Sequence, residues 1–201
     1  MKQVSKPARQ RLITLSKLLS QQTGEKITSV ELASLTGWTS DTIRRDISLL
    51  ELHAGVSNGD EVKVLKKAIG KFLGFPDMQN KISICIVGLG TLGQGLLESA
   101  IFEEYGFELK AGFDTNQNRL DLINSTIPLF PTLDLETKIR QLKIQYSLLS
   151  VSDEKAQFMA DRLVKYGIKG IINYTNTVLT LPPQIKIINA SPVFMLQLLQ
   201  Q

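Results

Sequence analysis

Apolar residues near the start of the chain recur three and four positions apart, at Leu12, Leu15, Leu18 and Leu19, with Ile13 beside them. That period predicts an amphipathic helix with Pro7 in its first turn and its end near Gly24. Thr28-Ser29-Val30-Glu31 has the S/T-x-x-E form in which a hydroxyl and a carboxylate satisfy the free amides of a helix start. A second, short helix is therefore expected up to Thr36. Gly37 breaks it, Trp38 supplies a large apolar plug, and Ser40 or Asp41 caps a third helix through Ile43, Ile47 and Leu50. The positions of Ala33, Gly37 and Ile43 are those at which a helix-turn-helix puts a small residue at the helix contact, glycine at the turn and a core aliphatic in the reading helix.

If Ile43 and Ile47 face inward, then Ser40, Thr42, Arg44, Arg45 and Ser48 are left to meet DNA, with arginine able to fork onto guanine edges or phosphates. Asp46 would repel phosphate and is expected to orient an arginine instead. Gly55 to Gly59 is turn-rich, and the alternating Val62-Lys63-Val64 reads as the hairpin of a winged helix, with Lys63 as a further DNA contact. A helix from Lys66 to Leu73 closes the domain. His53, at the hairpin entrance, is expected to be structural. The competing reading is a small helical bundle with a salt-bridged surface.

After the linker Gly74 to Asn80 the period changes. Ile82, Ile84 and Ile86-Val87 form a β-branched run of the kind buried on both faces of a parallel sheet, and it leads into Gly88-Leu89-Gly90-Thr91-Leu92-Gly93. This is G-x-G-x-x-G after a strand and before a helix, Gln94 to Phe102, which is the context a dinucleotide-binding Rossmann turn requires. Gly88 allows the tight turn, Gly90 lets the backbone approach a pyrophosphate, and Gly93 lets helix pack on strand. A second strand, Leu109 to Phe113, ends in Asp114, placed to accept hydrogen bonds from an adenosine ribose. Its carboxylate favours NAD(H) over NADP(H), with Arg119 nearby. Strand Ser147 to Val151, helix Glu154 to Lys165 and strands Gly170 to Asn173 and Ile185 to Ile188 continue the pattern. The fold class expected is an N-terminal winged helix-turn-helix domain, residues 1–76, and a C-terminal α/β Rossmann domain, doubly wound with a mainly parallel sheet, residues 77–201.

Composition narrows the chemistry. Of 201 residues, 43% are hydrophobic, enough for real cores, and the longest apolar stretches fall far short of the ~20 residues that cross a bilayer. No membrane partner and a cytoplasmic location are expected. The net charge of +4 sits in residues 1–80, which carry 12 Lys/Arg against 8 Asp/Glu, while the remainder carries 11 of each. A basic part suits a polyanion. One cysteine, Cys85, and one histidine leave little from which to build a metal site, and Cys85 reads as a buried small hydrophobe. No catalytic residue is assigned, since a dehydrogenase needs a proton relay and substrate-fixing groups, and the only histidine is N-terminal.

In this order along the chain, Arg11-Leu12, Ile43-Arg44-Arg45-Asp46-Ile47-Ser48, Ile86 to Gly93, Gly112-Phe113-Asp114 and Gly167-Ile168-Lys169-Gly170-Ile171-Ile172-Asn173-Tyr174 resemble segments of the Rex family of redox-sensing transcriptional repressors. The resemblance implies a homodimer that binds double-stranded operator DNA and senses the NADH/NAD+ ratio, NADH releasing the DNA. It matches Arg44 and Arg45 to the basic pair of the reading helix, and Gly88, Gly90, Gly93 and Asp114 to the NAD(H) site, with Leu89, Thr91 and Leu92 between them. The chain departs from the family pattern at Val56, Ser57 and Asp60 in the wing, at Ser99, at Ser152 in place of a proline, and at Ser191-Pro192, where an acidic partner of Arg11 is expected. Val193 to Leu199 is short beside the long C-terminal helix that family subunits exchange, so that helix is expected to be truncated or absent. Two rival functions remain: a small NAD(P)-dependent oxidoreductase, and a DNA-binding regulator whose Rossmann domain is only a dimerisation scaffold.

Overall fold

The computed structural model describes residues 4–50, 59–76 and 79–200. The chain forms two compact units, Met1–Phe75 and Pro76–Gln201. The first contains α1 (Lys6–Gln21), β1 (Lys26–Ile27), α2 (Ser29–Thr36), α3 (Ser40–Ser48), β2 (Asp60–Glu61) and α4 (Val62–Leu73). Helix α1 begins with the Ser5 hydroxyl accepting from the Ala8 amide and has proline in its first turn. At α2 the reciprocal cap is complete: Thr28 Oγ1 accepts from the Glu31 amide at 3.1 Å, and the Glu31 carboxylate accepts from the Thr28 amide at 2.7 Å. Gly37 then takes a left-handed conformation, φ 73°, and its amide donates to Ala33 O, which ends α2 and turns the chain into α3.

Leu12, Leu15 and Leu19 of α1, Leu32 of α2, Ile43 and Ile47 of α3, and Leu65, Ile69 and Leu73 of α4 make one core, with Trp38 packed against it. Two expectations are corrected. The cap of α3 is Thr39, whose hydroxyl accepts from the Thr42 amide, and not Ser40 or Asp41. Val62-Lys63-Val64 is not a strand of the hairpin but the first turn of α4. Val62, Leu65, Ile69 and Leu73 are all buried at a helical period, and burying that twelve-residue stripe outweighs a three-residue alternation. The strand pair of the winged helix is instead β1 with β2, antiparallel, Lys26 opposite Glu61 and Ile27 opposite Asp60. His53, Val56, Ser57 and most of the expected turn lie outside the described residues.

The second unit contains β3 (Ile82–Val87), α5 (Thr91–Leu97), α6 (Ile101–Glu104), β4 (Phe107–Asp114), α7 (Gln117–Leu122), β5 (Leu129–Pro131), α8 (Leu135–Gln141), β6 (Tyr146–Leu149), α9 (Asp153–Lys165), β7 (Gly170–Asn173), β8 (Lys186–Asn189) and α10 (Pro192–Leu198). The strands form one sheet in the order β5-β4-β3-β6-β7-β8, every pair parallel. Cys85, Val87, Phe113, Leu149 and Ile171 face a core completed by α8 and α9, while Ile84, Ile86, Leu109 and Leu148 face one completed by Leu89, Leu97 and Leu120. Both faces are covered, which is why the strands read as continuous apolar runs. The single helix expected from Gln94 to Phe102 is two, α5 and α6, interrupted at Glu98 to Ala100. Glycines 93 and 95 make α5 a poor helix, each costing about 1 kcal/mol relative to alanine.

Burial pushes the Cys85 thiol up to about 12. Native protein at pH 8 should therefore resist alkylation by iodoacetamide, with labelling appearing only in denaturant; rapid labelling of the folded chain would contradict this placement.

Candidate dinucleotide and DNA sites

The strand order of the second unit runs outward from β3 on one side and from β6 on the other, so the chain reverses direction between these two strands. A crevice opens at their carboxyl ends, the place where parallel sheets of this topology bind ligands. The backbone there is unusually close. Gly88 has φ 95°, and a Cβ on it would fall inside contact distance of the Ser150 carbonyl. A Cβ on Gly93 would collide with the Gly88 carbonyl oxygen, which already accepts a hydrogen bond from Ser150 Oγ at 2.7 Å. Gly90 differs from both: a Cβ there would meet nothing within 4 Å. Two glycines are thus required by the fold itself, and the third leaves open space above the start of α5, a cradle that a pyrophosphate fits.

Asp114, at the end of β4, is only 3% exposed. Its Oδ2 accepts from the Leu89 amide at 2.7 Å and from Arg119 Nη1 at 2.8 Å, and its Oδ1 accepts from the Asn116 amide at 2.8 Å. Burial works against the charged form, but these donors outweigh it and hold the carboxyl below its ordinary value. Together with Gly88 and Gly90, Asp114 lines a cavity of about 390 Å³. Thr115, Arg119, Thr132, Ser150, Val151, Ser152, Lys155 and Met159 complete the lining. Leu89 is buried in a core and does not line this cavity, and Thr91 and Leu92 are exposed on the first turn of α5. The sequence pattern does not single out Ser150, Lys155 and Met159, because their proximity to the glycine turn depends on β6, which ends one residue before Ser150, lying beside β3. Ser99 lies in the break between α5 and α6, and Ser152 stands at the position before α9 without a side-chain hydrogen bond to it. The buried Ser191 donates its hydroxyl to Asn176 Oδ1.

In the first unit, Arg44, Arg45 and Ser48 are exposed on α3, with Ser40 and Thr42 partly so. Arg44 donates to Asp41 at 2.7 Å and to Ser40 Oγ at 3.1 Å. Both are surface contacts that a phosphate can displace at small cost. Lys63 is exposed in the first turn of α4, among Lys66, Lys67 and Lys71, and not on a wing. Asp46 does orient an arginine, but the arginine is Arg11 of α1: Nε and Nη2 donate to the two carboxylate oxygens at 2.6 and 2.9 Å. Asp46 is 3% exposed. The hydrogen bonds that Arg11 donates to this carboxylate, ahead of the opposing cost of burial and the carboxylate's charge, raise Arg11 above its ordinary value.

A winged helix-turn-helix on one chain with a parallel-sheet unit of dinucleotide-binding type defines a DNA-binding regulator. Residues 79–177 match the family model described as the CoA binding domain. The redox-sensing transcriptional repressor Rex of Limosilactobacillus reuteri (strain DSM 20016) is 31% identical over 172 residues, 86% of this chain and 79% of that protein. That of Treponema denticola is 32% identical over 143 residues, 71% of this chain and 67% of that one. Among solved structures, RSP, a Rex-family repressor, superposes with a TM-score of 0.84 at 29% identity, covering 100% of this chain and 94% of RSP. RSP in complex with β-NAD+ and operator DNA superposes with a TM-score of 0.89 at 28% identity, covering 100% and 92%. The chain belongs to the Rex family of redox-sensing transcriptional repressors, and these relatives are named as repressors, not as enzymes.

Two outcomes test this geometry. Replacing Arg11 by Met strands a buried carboxylate and should cost the first unit about 2–4 kcal/mol, with Arg11→Met/Asp46→Leu recovering much of it; equal losses in both variants by urea titration would show that the pair is not what matters. Asp114 is held below its unfolded value, so it contributes stability that is complete above about pH 4 and is lost as the pH falls further. The stability gap between wild type and Asp114→Asn should therefore narrow below pH 4.

Proposed function

We infer that this protein represses transcription by binding operator DNA through its first unit and responds to the NADH/NAD+ ratio through its second, NADH releasing it from DNA. The observation that carries the reading is one chain holding both an open glycine cradle beside a buried acidic strand end and a helix presenting exposed arginines. Support comes from RSP, whose structures hold β-NAD+ with operator DNA in one case and β-NADH in another. Residues 1–76 serve as the DNA-binding domain and residues 77–201 as the NAD(H)-binding domain. Ser40, Thr42, Arg44, Arg45 and Ser48 meet the major groove, and Lys63 adds a phosphate contact from α4. Gly88, Leu89, Gly90, Thr91, Leu92, Gly93 and Asp114 form the dinucleotide cradle. A protein that reads two half-sites acts as a homodimer, in the cytoplasm where the DNA is. Among the described residues no helix is long and apolar enough to cross a membrane, and no group of three or more His, Cys, Asp or Glu could hold a metal ion.

Each residue has a distinct task in this mechanism. NAD(H), when bound, supplies the redox state to be read. Gly90 leaves room for the pyrophosphate, the first free amides of α5 face it, and Asp114 tethers the Leu89 amide so that the glycine turn keeps its shape. On α3, Arg44 exchanges Asp41 and Ser40 for a guanine edge or a phosphate.

The test pairs calorimetry with DNA binding. NADH should bind with defined stoichiometry and lower operator affinity, whereas Gly90→Ala should fold normally, lose NADH and retain DNA binding. Arg44→Ala should weaken operator binding by about 1–3 kcal/mol, with base preference relaxed. A folded protein that binds operator but no dinucleotide would leave the second unit as a scaffold, and steady turnover of NAD(P)(H) with a hydroxy or keto substrate would make it an oxidoreductase.

A further inference from the structure

At the amino ends of the strands, away from the glycine turn, the second unit has another depression, of about 410 Å³. It opens between the starts of β6 and β7, where the chain leaves α8 and α9. Its apolar lining includes Ile139 and Ile144, both buried. Three exposed cations line it, Arg140, Lys143 and Lys169, and among the described residues no carboxylate does. Arg140 pairs with Glu136 one turn earlier on α8, at 3.0 Å on the open surface. Lys169 Nζ donates only to the neutral Gln145 Oε1, at 3.3 Å. The side chain of Lys143 makes no ion pair or hydrogen bond among the described residues. Part of this charge suits the helix ends, each of which carries about half a unit of negative charge. Two such ends do not neutralise three cations. Lys143 is also the one residue other than glycine with a positive φ among the described residues, 52°, where α8 turns toward β6. Glycine would take that conformation without strain, so what lysine supplies there is its charge.

We propose that this depression binds a diphosphate group, free or carried by a nucleoside, as a second anion site on the opposite edge of the sheet from the dinucleotide cradle. A single phosphate group brings about 1.5 to 2 negative charges at pH 7, short of three cations, whereas two adjacent phosphates meet all three. Arg140 exchanges a surface pair worth little for a fork onto one phosphate, and Lys143 and Lys169 act as point charges on the other. The site shares no lining residue with the crevice that holds Gly90 and Asp114, so it stands or falls separately from the function proposed above.

The experiment titrates the full chain at low salt with inorganic pyrophosphate and with uridine 5′-diphosphate, by calorimetry and by NMR of the backbone amides. At least one of them should saturate a single site per chain, with or without NADH, and move the amides of Gln145, Gly167 and Lys169. Tighter binding of pyrophosphate identifies a free diphosphate as the ligand, and tighter binding of the nucleotide a nucleoside-borne one. Lys143→Gly should weaken binding about 3- to 30-fold while melting no lower than the wild type, and Arg140→Gln and Lys169→Gln should weaken it to a similar degree. Lys66→Gln, on α4, should leave it unchanged, and added salt should weaken it. Absence of saturation at about 10 mM of either ligand overturns the proposal. So does a response at Gly90 and Thr91 that NADH abolishes, which would place the anion in the glycine cradle. Equal losses in Lys66→Gln and Lys143→Gly would reduce the effect to a general attraction of a basic chain and overturn it as well.

Discussion

The second unit depends on two stretches of backbone that nearly touch. Where β3 and β6 end side by side, the Gly88 carbonyl meets Ser150 Oγ, and neither Gly88 nor Gly93 has room for a Cβ. The approach exists because parallel neighbours deliver both carboxyl ends to the same edge, and it brings the start of α5 down onto the strand it follows. Everything at the crevice is referred to that contact. The Leu89 amide points at Asp114 because Gly88 can turn, and Gly90 stands clear of the protein because Gly93 does not.

This division of labour separates what holds the fold from what meets a ligand. Gly88 and Gly93 are steric necessities, whereas Gly90 and Lys155 border open space. Asp114 belongs to both groups: buried and triply bonded, it is a structural anchor that also faces the cavity.

Long periods and local caps were legible in the sequence. The stripes of α1 and α3, the reciprocal cap at Thr28, the turn at Gly37 and the glycine strand all stand where their residues indicate, because each signal is written within a few positions. The α4 start was misread because Val62-Lys63-Val64 alternates while Val62, Leu65 and Ile69 also fit a helix, and only the core decides between them. The break between α5 and α6 carries neither proline nor glycine at Glu98 to Ala100, so nothing local announces it. Thr39, Ser40 and Asp41 are all competent caps, and their order along the chain does not say which one is used. Ser150 and Lys155 reach the crevice only through strand order, and the partner of Asp46 lies 35 residues away in sequence. Such contacts are properties of packing, not of local pattern.

The Arg11–Asp46 clasp has a mechanical meaning for the helix that presents Arg44 and Arg45. A reading helix held only by its turn and its apolar stripe can rock about its long axis, shifting which side chains face the groove. Here a bidentate pair fixes the last turn of α3 to the first helix of the chain, through a buried carboxylate that leaves Arg44 and Arg45 exposed. Rotation of α3 is thereby geared to α1: the last turn of the one cannot swing without carrying or breaking its hold on the other, whatever happens at the turn at Gly37.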